Sequence, residues 1–107
     1  MKKLLKLSEL PTAIFAANDL VAMGAMQAIQ QKKYHIPEDF CIIGFDDIKL
    51  ASFVYPTLST IRQPMLEMGA LAVKILLRII RGGEFNQKKV VLKPKLIIRE
   101  SCRELNE

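Results

Sequence analysis

The sequence has no tryptophan, one histidine, two cysteines, and only five glycines and five prolines in 107 residues. Each scarcity closes a class of function. Cys41 lies inside an apolar run and Cys102 near the C-terminus, with no CxxC pair, so two reduced thiols are expected rather than a disulfide framework or a metal site. No apolar run is long enough to cross a bilayer without charges. The opening MKKLLKLSEL is broken by Lys6, Ser8 and Glu9 and followed by Pro11 rather than a small-residue cleavage pattern, which argues against a signal peptide. A soluble cytoplasmic protein with no membrane partner is expected. Dense runs of one charge are also missing. Sixteen Lys+Arg against eleven Asp+Glu give +5, but the basic residues are scattered and no aromatic platform is interleaved with them, so they read as solvated faces rather than a nucleic-acid surface.

What is present is a core: half the residues are hydrophobic, enough for one globular domain. The most informative stretch is CIIGFDD, residues 41–47. Its apolar run does not alternate with polar residues, as expected of a parallel strand covered on both faces. The run ends in a glycine, an aromatic and two carboxylates. A second apolar run, residues 12–17, ends in Asn18 and Asp19. Ligands collect outside the carboxyl ends of strands in open parallel sheets, so a binding cleft lined by these polar groups is the leading expectation.

In chain order, residues 1–7 read as the end of a helix, too short to stand alone and suggesting that a larger N-terminal portion precedes it. After strand 12–17, Asn18 is an N-cap and Asp19 favours the positive end of a helix reaching Lys32. The small-residue face of that helix, Val21, Gly24, Ala25, Ala28 and Ile29, suits packing on a sheet. Strand 40–45 closes a β-α-β unit, followed by a short helix over 48–54 stopped by Pro56. Strand 58–62 leads to a long helix over 64–81, opened by Pro64 and closed by Gly82 and Gly83. Only Glu67, Lys74, Arg78 and Arg81 interrupt its apolar wheel, so it calls for cover on most of its circumference. Two strands, 90–92 and 95–99, complete an α/β chain without repeats.

With these elements placed, three stretches, PTAIFAANDLVAMGAMQAI, IPEDFCIIGFDDIKLASFVYPTLSTIRQPMLEMGALAVKIL and LIIRESC, resemble the C-terminal part of the effector-binding region of the lactose repressor and galactose repressor family of bacterial transcription regulators. The resemblance implies a partial periplasmic-binding-protein-like fold over residues 1–107. It also implies an effector that is a sugar, nucleobase or nucleoside, no cofactor, a homo-oligomer, and DNA contact only through a helix-turn-helix that this stretch does not contain. The long helix would belong to the family's N-terminal subdomain. Asp46 resembles the family aspartate that accepts hydrogen bonds from the effector, whereas Asp47 is read as a helix cap. Asn18 suits a sugar or purine edge as well as an N-cap, and the two roles are compatible. Gln63 resembles a cleft-lining residue but equally suits simple helix entry. Met65 and Met68 are read as core. Met23, Phe53 and Val54 match the surface through which two C-terminal subdomains pair, whereas Met26 on the same faces is read as interior.

Two other classes are weighed. A periplasmic sugar receptor shares the implied fold. An enzyme holding Mg²⁺ on Asp46 and Asp47 lacks the glycine loop and catalytic lysine that phosphoryl chemistry needs.

Overall fold

A computed structural model describes residues 1–106 and divides the chain into two compact units. The first comprises Met1–Arg62 joined by the C-terminal segment from Leu96 onward; the second is Gln63–Lys95.

The first unit is built on a β-α-β crossover. Strand β1 (Ala13–Phe15) leads into helix α1 (Asp19–Gln31) and returns as β2 (Cys41–Ile43), parallel to β1 with Ile14 opposite Ile42. The helix starts where expected: the Asn18 side chain accepts from Val21 N at 2.9 Å, satisfying one of the unpaired donors of the first turn. Its buried face is turned by about one residue from the sequence expectation. Ala22, Ala25, Met26 and Ile29 are buried, whereas Val21 and Gly24 are exposed. Asp19 lies on the same stripe as Ala22, Met26 and Ile29 and is buried with them. β1 is less covered than an all-apolar run suggests, with Phe15 exposed. Ile42, Phe40, Leu58 and Ala51 complete the core, with Tyr34 packed edge-on against Phe40.

Strand β3 (Thr60–Arg62) continues the sheet from β2 through parallel bridges at Ile43–Ser59 and Asp46–Arg62, and pairs with β4 (Lys95–Ile97). The C-terminal RESC segment acts as a clasp. Buried Ser101 donates its hydroxyl to Ile42 O at 2.6 Å and accepts from Ser59 N at 2.8 Å, joining β2 to the residue before β3. The helix expected over 48–54 is a single 3₁₀ turn, Lys49–Ser52, with Pro56 following. Residues 1–7 form a comparable turn, Leu4–Lys6, beside which Met1 and Leu5 pack on the core.

The second unit carries α2 (Met65–Ile80). Its C-terminus is a Schellman motif: Gly82, at φ 78°, donates to Ile79 O, and Gly83 donates to Arg78 O at 2.9 Å. No residue of α2 is buried, and Leu66 is 93% exposed. Met65 and Met68, read as core, are exposed as well, because the second unit offers nothing to cover them. The strand expected over 90–92 does not form. Val91 is exposed between lysine-rich flanks, and only Lys95–Ile97 finds a partner strand.

Candidate functional site

Because β1 and β2 run parallel in register, their carboxyl ends lie on one edge, and each ends in a polar pair. Asn18 leaves β1 half-buried, and its cap bond to Val21 uses the amide oxygen rather than the NH₂ group. Asp46 leaves β2, also half-buried, with its backbone N–H donated to Ile61 O at 2.8 Å. The β-α-β unit thus brings together the two residues that sequence reasoning singled out as ligand contacts in this unit. Gln63 belongs to the second unit, where its carbonyl accepts from Met65 N at 2.9 Å.

The turn that follows β2 is held in an uncommon conformation. Asp46 has φ 115° and Asp47 φ 59°, both in the region L-residues with a Cβ avoid. Each such residue costs on the order of 1–3 kcal/mol and persists only where its surroundings over-determine it. Here the surroundings are specific. Asp19 donates its backbone N–H to Phe45 O at 3.0 Å, and its buried carboxylate accepts from Ile48 N at 2.8 Å and from the Thr60 hydroxyl at 2.5 Å. The Thr60 oxygen accepts in turn from Asp47 N at 3.3 Å. Gly44 makes this possible, since a Cβ there would collide with the Asp19 carboxylate and crowd its Cα.

Asp47 is not the cap expected from sequence. The following 3₁₀ turn has Ile48 at its N-cap position and no side-chain cap. The Asp47 carboxylate instead accepts from Arg62 Nε at 2.6 Å and pairs with Arg99 Nη2 at 2.8 Å, while Arg99 Nη1 donates to Leu58 O. Burial pushes the Asp47 carboxyl up, but the hydrogen bonds and charges of Arg62 and Arg99 outweigh it and hold the group below the usual carboxylate range. Two arginines on this carboxylate already supply the positive charge that the Mg²⁺ reading would have asked of a cation. Among the described residues no group of three His, Cys, Asp or Glu is placed to hold a metal. No helix among the described residues is long and apolar enough to cross a membrane. Burial also raises the Cys102 thiol, which donates to Ile42 O at 3.2 Å.

Sequence reasoning missed Asp19, Thr60 and the arginine pair. The available signal was the coincidence of a carboxylate directly after an N-cap, a glycine before the second polar pair and a threonine in the next strand.

The residues proposed for pairing lie on the other side of α1. Met23 and Val54 line one shallow groove with Gln30 and Tyr55, and Gln30 Nε2 donates to Tyr55 O at 3.0 Å. Beside them Phe53 is 79% exposed. Met26, read as interior, is buried.

Residues 1–102 match the periplasmic binding protein-like domain model. The chain is 47% identical over 105 residues to the ribose operon repressor of Haemophilus influenzae, covering 98% of this chain and 32% of that protein. It is 36% identical to the HTH-type transcriptional repressor PurR of Mannheimia succiniciproducens, covering 98% and 31%. Among solved structures, a LacI family transcriptional regulator from Enterococcus faecium with bound ribose superimposes with a TM-score of 0.81 at 33% identity, covering 98% of this chain and 38% of that one. A regulatory protein of the LacI family from Chloroflexus aggregans gives a TM-score of 0.86 at 43% identity, covering 94% and 37%. The chain spans about a third of the length of the curated relatives it matches. Sequence match and parallel β-α-β core agree: the chain belongs to the periplasmic-binding-protein-like domain family, and over its length it is similar to about a third of the chain of LacI-family transcription regulators.

Proposed function

We propose that this chain serves a LacI-type transcription regulator as part of its effector-sensing region, contributing the effector contacts Asn18 and Asp46 and a pairing face around Met23, Phe53 and Val54. The observation that carries this reading is the common carboxyl edge of β1 and β2, with Asp46 held at positive φ by bonds from two neighbouring elements. An acceptor-only carboxylate beside an amide suits a ligand that presents hydroxyl or N–H groups, which a sugar or a nucleobase does. Similarity to a ribose operon repressor, a purine repressor and a ribose-bound regulator supports the same ligand classes. The role is sensing rather than catalysis, in the cytoplasm, with DNA contacted through a helix-turn-helix outside these 107 residues. Effector binding acts by favouring one of two arrangements of the whole regulator, and so shifts the population competent for DNA.

The test is a chimera in which this chain replaces the matching third of the Haemophilus influenzae ribose operon repressor. Titrated with D-ribose or a purine base, Asp46→Asn should weaken binding by about one to two decades, the worth of a charge-assisted hydrogen bond, with the melting temperature nearly unchanged. Equal affinity in parent and variant would assign Asp46 a purely structural role.

For the pairing face, Phe53→Glu should convert a dimeric chimera to monomer, because a carboxylate would be left unpaired in an apolar contact. Light scattering reads this directly, and an unchanged dimer mass would remove Phe53 from the interface.

A further inference from the structure

Asp19 is 1% exposed and so is closed off from any ligand, yet it is the carboxylate around which the edge is assembled. One oxygen holds Ile48, just beyond the two left-handed aspartates; the other holds Thr60, whose own oxygen holds Asp47 N. The backbone of Asp19 reaches Phe45 O, just before those aspartates, and its other chain neighbour is Asn18. The turn is therefore fastened on both sides of Asp46 by a single residue adjacent to the other proposed contact. Both oxygens are used, which an alanine could not provide and an asparagine could provide only in part. Gly44 leaves the room that this carboxylate occupies.

We propose that Asp19 is a positioning residue that fixes Asp46 relative to Asn18 and so sets effector affinity without touching the effector. The proposal rests on the effector reading above for its consequence, and on the hydrogen-bond geometry alone for the turn.

The test uses amide hydrogen exchange of the ¹⁵N-labelled 107-residue chain. In Asp19→Asn, which keeps the shape but offers one acceptor oxygen, the Ile48 and Asp47 amides should exchange about tenfold faster, while Ile42 and Ile29 in the core stay as in the parent. Thr60→Val should reproduce the effect at Asp47, and Thr60→Ser, which keeps the hydroxyl, should abolish it. In the chimera, Asp19→Asn should weaken D-ribose or purine-base binding about tenfold, measured well below the melting temperature of the variant so that both proteins are fully folded. Turn amides that exchange as in the parent, or that accelerate only together with the core, would overturn the proposal. So would full affinity in an Asp19→Asn chimera whose parent binds. A parent chimera that binds neither ligand would refute the effector reading, and with it the proposed effect on affinity, while the exchange result would still decide whether Asp19 holds the turn.

Discussion

Purified at micromolar concentration, the 107-residue chain should sediment with a mass that rises with concentration, and any monomer should strongly enhance the fluorescence of a hydrophobic dye. The reason is α2. Sixteen residues, Met65–Ile80, form a helix of which none is buried, and Leu66, Met65, Val73, Leu76, Ile79 and Ile80 are all exposed. Each large apolar side chain left in water forgoes roughly 1.5–3 kcal/mol of burial, and a handful equals the roughly 5–15 kcal/mol stability of a whole domain. Contiguous exposed apolar surface of this kind recruits other molecules or dye. The charged stripe of Lys74, Arg78 and Arg81 covers only one side of the helix. A monodisperse monomer that excludes the dye would mean that α2 finds cover within these residues, contrary to its exposure here.

Ser101→Ala should lower the melting midpoint of the first unit by roughly 8–30 °C. The deleted hydroxyl is buried, donates to Ile42 O and accepts from Ser59 N. Its loss leaves a backbone donor without its partner and a carbonyl with only the weak Cys102 thiol. Unsatisfied buried groups cost about 1–3 kcal/mol each, so about 2–4 kcal/mol is expected in all, and 1 kcal/mol moves a small domain by about 4–8 °C. The measurement has a built-in reporter: the chain has two tyrosines and no tryptophan, and Tyr34 and Tyr55 both lie in the first unit, so tyrosine fluorescence reads that unit alone. A Ser101→Ala chain melting within a degree or two of the parent would show that the clasp contributes little.

The contrast between Ser101 and Asn18 explains what could be read from sequence. Asn18 acts on a neighbour three residues away, so its N-cap role was visible, as were Gly82 and Gly83 closing α2 and the parallel pairing implied by two apolar runs around a helix. The roles of Ser101, Asp19 and Asp47 depend on partners at Ser59, Thr60 and Arg99, far along the chain, which no local period encodes. Asp19 is instructive because the local rule was right about the helix terminus and silent about burial. The inward face of α1 includes this carboxylate and Ala22 rather than Val21. The strand expected over 90–92 failed for the opposite reason. Its composition favoured extension, but a strand needs a partner, and the sheet takes only Lys95–Ile97. At the site, Asn18 and Asp46 were legible as strand-end polar groups, whereas the positive φ of Asp46 and Asp47 was not.

The most direct test of the sensing role is the crystal structure of the chimera grown with D-ribose or a purine base. With the ligand bound, the Asp46 carboxylate and the Asn18 amide should both stand within about 2.5–3.2 Å of its polar atoms, with Asp47 still paired to Arg62 and Arg99. A ligand seated away from the carboxyl edge of β1 and β2, with neither residue in hydrogen-bond reach, would contradict the account.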